Sequence, residues 1–166
     1  ATPVLVDIND SMNIDPVKIE HAITPNTKCI MPVHMNGLPC NIDKIISLSE
    51  KYNIPIVEDA AQSIGAKFYQ KLVGTFGITG CFSLHPMKIL GGAGDGGFIL
   101  TDDAEINEKI RLLRNHGQKT KEEIVSFGYN SRLDNIQAGI LRTKLPLLSQ
   151  RITRRREGNH LSWMTT

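Results

Sequence analysis

The sequence predicts an α/β fold with a mostly parallel sheet and flanking helices, and three features carry that expectation. Short runs rich in β-branched and aromatic residues recur along the chain. Segments of helical period separate them, and Gly, Pro, Asn or Asp stand near their boundaries. Strands that alternate with helices bury their apolar faces best in layers, with helices covering a largely parallel sheet.

Taken in order, Pro3 to Ile8, Cys29 to Val33, Pro55 to Val57, Cys81 to Leu84 and Phe98 to Leu100 read as strands. Asp15-Pro16 is a helix start, an N-cap side chain followed by a proline whose missing N–H costs nothing there, and Val17, Ile19 and Ile23 follow. Asp43 to Tyr52 carries Ile42, Ile45, Ile46 and Ser49 on one face, and Asp103 to Arg114 repeats Ile106, Ile110 and Leu113 beneath a basic outer face. A last helix, Leu133 to Leu148, lines up Leu133, Ile136, Ile140, Leu141 and Leu145, and Pro146 is expected to kink or interrupt it.

Composition sets the broad class. The 166 residues are 40% hydrophobic and 22% charged, with a net charge of +2, the profile of a globular protein with no electrostatic case for nucleic acid or a membrane surface. The basic cluster Arg151 to Arg156 reads as the solvated end of a helix. Cys29, Cys40 and Cys81 have no metal-ligand spacing, and so sparse and odd a count fits a reducing cytosol; no metal site is expected. No apolar run spans a bilayer, and no charged-then-apolar leader opens the chain. Because Ala1 leads almost at once into Val4-Leu5-Val6, the chain reads as a piece of a longer domain.

In open α/β sheets, ligands bind beyond the carboxyl ends of strands. After Val57 come Glu58-Asp59-Ala60-Ala61-Gln62-Ser63, two carboxylates followed by residues small enough to let a ligand approach the backbone. An acidic helix N-terminus explains the pair equally well. After Cys81 to Leu84 come His85-Pro86-Met87-Lys88 and a glycine-rich run to Gly97. A lysine there is placed for desolvation, which makes an amine nucleophilic, although a solvated surface lysine is the commoner case. Gly92, Gly94 and Gly97 formally satisfy G-x-G-x-x-G, yet a strand rather than a helix follows, so a dinucleotide site is rejected and the glycines are assigned to tight turns and close packing. His34, His85 and His116 are scattered; His85 and, more weakly, His34 are candidate pocket residues, with a hydrogen-bonded structural role as the alternative. Asn130 and Arg132 either hold an anion or cap the last helix.

The series is more specific than its parts. Pro3-Val4-Leu5-Val6-Asp7, Asn13-Ile14-Asp15-Pro16, Pro32-Val33-His34, Glu58-Asp59-Ala60-Ala61-Gln62-Ser63, Ser83-Leu84-His85-Pro86-Met87-Lys88, Arg114-Asn115-His116-Gly117 and Gly128-Tyr129-Asn130-Ser131-Arg132 occur in that order. Up to about Arg156 the chain resembles the DegT/DnrJ/EryC1/StrS aminotransferases, enzymes of the aspartate aminotransferase fold (fold type I) that use pyridoxal 5'-phosphate.

The resemblance implies that Lys88 carries the cofactor as a Schiff base and moves the substrate proton. It implies that Asp59 pairs with the pyridine nitrogen, Gln62 lies against the ring, Ser83 binds the phosphate, and Asn130 reaches the phosphate of a neighbouring subunit in a homodimer. A carboxylate in the position of Asp59 would keep the ring protonated and able to accept electrons. The implied reaction is amino transfer, usually from glutamate, to a keto group of a nucleotide-linked sugar in the cytoplasm. The presence of Lys88 favours it over the sugar-dehydratase branch, and the Asp59 to Gln62 run over a desulfurase or lyase. Residues 1–150 would be part of the large domain, without its N-terminal part, and 151–166 the start of a linker toward a small C-terminal domain. Missing strands would leave Pro3 to Ile8 open to pairing with another copy. The competing expectation is an inactive α/β module that binds no cofactor.

Overall fold

A computed structural model of the chain describes residues 1–162; the last four residues of the expected linker lie outside that range. The chain divides into two compact units, one made of Ala1–Phe82 with Phe98–Arg132, the other of Ser83–Gly97 with Leu133 onward.

The first unit begins with α1 (Pro16–Ala22), whose Asp15 side chain accepts the Val17 N–H at 2.9 Å. Helix α2 (Ile42–Tyr52) ends on Asn53 in the left-handed region, a conformation that Asn tolerates. Strand β1 (Val57–Asp59) pairs in parallel with β4 (Thr79–Ser83), in the register Val57 to Thr79 and Asp59 to Cys81. Strand β5 (Gly97–Leu100) lies on the far side of β4. Between β1 and β4 a minimal antiparallel hairpin joins β2 (Lys67–Phe68) to β3 (Lys71–Leu72). Helix α3 (Ala104–Leu113) starts at Asp103, which accepts the Ile106 N–H at 3.0 Å.

The core of this unit is aliphatic. Ile42 and Ile45 of α2 are wholly buried against Ile19, Ile30, Ile54 and Ile56, each burial stabilising by roughly 1.5–3 kcal/mol. It fastens α1 and α2 to β1 and so fixes the strand end where Asp59 emerges.

Two strand expectations need correction. Cys29 to Val33 does run parallel to β1, with the Ile30 N–H donating to the Pro55 carbonyl and the His34 N–H to that of Asp59, but it is tied by single bridges at Ile30 and Val33 and forms no continuous ladder. Pro3 to Ile8 forms no strand at all. Only Ile8 makes a bridge, to Ile14, while Leu5 is 95% exposed. A strand needs a hydrogen-bonding neighbour along its length, and among the described residues this run has only the contact of Asp7 and Ile8 with Ile14 and Asp15. Sheet pairing is therefore small in extent and mixed in direction, not mostly parallel.

In the second unit α4 (Asn135–Lys144) is followed by a 3₁₀ turn (Leu145–Leu147) and α5 (Leu148–Ser162). Pro146 marks that break, as its ring and missing N–H require. The same unit holds Ser83 to Gly97, a loop cross-tied by the Gly92 N–H to the Leu84 carbonyl and the Leu84 N–H to the Gly96 carbonyl, both at 2.8 Å.

Candidate functional site

The two carboxylates at the end of β1 have opposite fates, because successive residues of a strand face opposite sides. Glu58 points inward and is wholly buried. Its Oε1 accepts the N–H groups of Phe76 at 2.6 Å and Gly77 at 2.7 Å, and its Oε2 accepts the Gly74 N–H at 2.7 Å and lies 3.0 Å from His34 Nε2. His34 Nδ1 accepts the Cys40 N–H at 3.2 Å, so the ring proton sits on Nε2 and is donated to Glu58. Burial by itself would raise the pKa of Glu58 above the usual carboxylate range, but the bond from His34 and the three backbone N–H groups outweigh it and hold it below. The same environment pushes the buried Cys40 thiol up to about 12, through burial first and the Glu58 charge second.

This arrangement corrects the expectation for His34. With no exposed surface and both nitrogens engaged, it lines no pocket and serves as a structural partner of Glu58. Glu58 itself was missed as a separate feature; strict alternation along β1 was the signal that distinguished it from Asp59.

Asp59 is half-buried. One oxygen accepts the Ala61 N–H at 3.0 Å, and among the described residues the second accepts nothing. Its neighbour across the ladder, Cys81, has its thiol pushed up by burial and then by the Asp59 charge. The side-chain oxygen of Gln62 accepts the Asn36 N–H at 2.8 Å, which leaves the Gln62 amide NH₂ exposed. Ala60 between them is wholly buried, and the buried Ser63 Oγ has no hydrogen-bond partner among the described residues. The first unit thus brings Asp59 and Gln62 together at one strand end, backed by the Glu58–His34 pair. Asn130 belongs to the same unit and is exposed, bridged to Asn115 and accepting the Arg132 Nε–H at 3.2 Å.

In the second unit Ser83, His85 and Lys88 lie together on the loop that leaves β4. Ser83 Oγ accepts the His85 N–H at 3.2 Å, His85 Nδ1 accepts the Met87 N–H at 3.2 Å, and the Lys88 N–H donates to the His85 carbonyl at 2.9 Å. His85 is exposed and Lys88 half-buried, and the Lys88 amine has no hydrogen-bond partner among the described residues. Taken singly, the groups are of kinds that suit pyridoxal phosphate: within the first unit Asp59 keeps a free carboxylate oxygen beside the Ala60-Ala61 stretch, which carries no bulk, and within the second Lys88 keeps a free amine.

A half-occupied carboxylate at a strand end, an unengaged lysine after the neighbouring strand, and an α/β scaffold together define a class. The chain belongs to the DegT/DnrJ/EryC1/StrS aminotransferase family, whose model matches residues 1–161. The family is pyridoxal-phosphate-dependent. Two similar curated proteins are nucleotide-sugar enzymes. One is the UDP-N-acetyl-3-dehydro-alpha-D-glucosamine 3-aminotransferase of Acidithiobacillus ferrooxidans, 49% identical over 90% of this chain and 41% of that protein. The other is the dTDP-3-amino-3,6-dideoxy-alpha-D-galactopyranose transaminase of Aneurinibacillus thermoaerophilus, 50% identical over 95% of this chain and 44% of its own length. Among solved structures, DesV of S. venezuelae, crystallised in complex with a ketimine intermediate, superposes with a TM-score of 0.85 at 42% identity, covering 90% of this chain and 40% of that one. The chain therefore spans about two-fifths of the length of the relatives it matches. No helix among the described residues is long and apolar enough to cross a membrane.

Proposed function

We propose that the protein carrying this chain is a cytoplasmic aminotransferase that moves an amino group, with glutamate as donor, to a keto group of a nucleotide-linked sugar. The observation that carries this reading is the pair of unengaged groups, the second oxygen of Asp59 and the amine of Lys88, in a chain about half identical to two nucleotide-sugar transaminases. Bound pyridoxal phosphate supplies a reactive carbonyl and a ring that accepts electrons from a breaking C–H bond. Lys88 holds that group through Nζ and, once free, moves a proton between the two carbons involved. Asp59 keeps a proton on the ring nitrogen, and Gln62 orients the ring with its free NH₂. Ser83 and, from a neighbouring subunit, Asn130 bind the phosphate. In this reading residues 1–150 are part of the large cofactor domain, 151–166 open the linker to a small domain, and the working form is a homodimer.

The test is reduction with borohydride after incubation with pyridoxal phosphate, followed by peptide mapping. Most of the pyridoxyl label is expected on Lys88, and Lys88→Ala should abolish it. Label spread evenly over several lysines would refute the assignment and favour an α/β module without cofactor.

A further inference from the structure

Gln137, Lys144 and Arg151 stand seven residues apart in the helices of the second unit. Seven residues are about two helical turns, so equal spacing returns a side chain to nearly the same face. All three address one loop, although a 3₁₀ turn separates α4 from α5. Gln137 Oε1 accepts the N–H groups of Ala93 at 2.8 Å and Gly94 at 3.1 Å. Lys144 Nζ donates to the Gly91 carbonyl at 2.7 Å, and Arg151 Nη1 to the Ile89 carbonyl at 3.4 Å. As the helices advance, the point of attachment moves back along the loop toward Lys88.

Two glycines of the run lie against this arrangement. A Cβ on Gly92 would lie 2.7 Å from Gln137 Oε1, and one on Gly94 would lie 2.9 Å from Gln137 Nε2. A side chain at either position would push the Gln137 amide out of this place. Consecutive N–H groups in such a run are often an anion cradle, but here those of Ala93 and Gly94 are already taken. Arg151 is correspondingly half-buried and engaged, unlike the exposed arginines that follow it on α5.

We propose that Gln137, Lys144 and Arg151 are positioning residues for Lys88, a polar stripe that fixes the main chain on its C-terminal side. On the other side the loop holds itself, through the Lys88 N–H on the His85 carbonyl and the His85 N–H on Ser83 Oγ. Held at both ends, the main chain at Lys88 keeps one position without the amine being spent on a hydrogen bond. The proposal rests on Lys88 being the cofactor-bearing residue, and Gln137 is its strongest member because it alone holds two backbone groups.

The test compares Gln137→Leu, which removes the acceptor, with Gln137→Glu, which keeps one, in the intact protein. Amide hydrogen exchange is read at Ala93, Gly94 and Lys88, and the share of pyridoxyl label on Lys88 is read in parallel. Exchange at Ala93 and Gly94 is expected to rise about tenfold in Gln137→Leu, and at Lys88 about threefold, with the label share on Lys88 falling by a similar factor. Gln137→Glu should stay near wild type in every readout, and Lys144→Met should also speed exchange at Lys88. Unchanged exchange at Lys88 in Gln137→Leu would overturn the proposal, as would faster exchange that Gln137→Glu fails to reverse. Should the wild-type protein show no preference for labelling Lys88, the cofactor reading fails by itself, while the exchange data still decide whether the stripe holds the loop.

Discussion

Glu58→Gln is the substitution whose outcome the structure constrains most tightly. It preserves size and shape but exchanges a carboxylate oxygen for an NH₂ group. Four donors converge on Glu58, from Phe76, Gly77, Gly74 and His34. With the amide oxygen kept toward Phe76 and Gly77, the NH₂ faces two N–H groups, those of Gly74 and His34 Nε2. Each bond to a charged acceptor contributes about 1.5–3 kcal/mol net, so losing two costs roughly 3–6 kcal/mol. A tautomer change at His34 would recover one bond but would turn Nδ1–H toward the Cys40 N–H and leave the Gly74 N–H unpaired, so at least two donors are stranded either way. Relief from burying a charge offsets part of the loss. The expected destabilisation is about 3 kcal/mol, or a fall in melting temperature of roughly 6–12 °C. Circular dichroism during urea and thermal unfolding measures it at pH 7. A variant within about 0.5 kcal/mol of wild type would refute the account of Glu58 as a fully engaged buried carboxylate.

The pH dependence supplies an independent check. The folded-state value of Glu58 is depressed, so its contribution is complete above the unfolded value near 4.5 and is lost as pH falls through the lower, folded value. The gap between wild type and Glu58→Gln should therefore be constant from neutrality to about pH 5 and narrow below it. A gap that closes on raising the pH would contradict the sign.

Two further outcomes follow from the same region. Gly74 has φ +83°, and a Cβ there would lie 2.3 Å from the Phe82 ring. Gly74→Ala is expected to cost roughly 2–4 kcal/mol from backbone strain and overpacking together, and a melting temperature equal to wild type would show that the turn relaxes freely. Cys40 is buried, with its thiol pushed up to about 12, whereas Cys29 is exposed. At pH 8 a thiol reagent should therefore modify Cys29 well before Cys40, which should react only on unfolding. Comparable native rates at both sites, followed by mass spectrometry, would contradict the burial.

What could be read from the sequence was whatever is decided locally. Asp15-Pro16 announces α1, because a cap is satisfied within the next few residues, and Pro146 announces its break because a missing N–H acts at its own position. Long-range pairing was less legible. The Pro3 to Ile8 run has every intrinsic mark of a strand, yet β structure depends on a neighbour that no local pattern supplies. The β2–β3 hairpin carried no turn signal, since Tyr69 sits at φ 51° where glycine or asparagine would be expected. Asp59, Gln62, Ser83 and Lys88 could be picked out as candidates by their types and order. The sequestration of Glu58 by His34, separated from it by 24 positions, came only from the fold.

The adjacency of Glu58 and Asp59 gives the motif a direction. Side-chain length is matched to task, since the inner carboxylate must cross to three amides of the 74–77 turn while the outer one needs only to stand at the strand end. Asp-Glu in place of Glu-Asp would put a side chain one methylene too short inside and one too long outside, although charge and composition would be unchanged. A one-residue slip in β1 would have the same effect, turning the free carboxylate into the core and the core carboxylate toward solvent. In this chain, then, the order of two chemically similar letters decides which acid is tied into the scaffold and which keeps a free oxygen at the strand end.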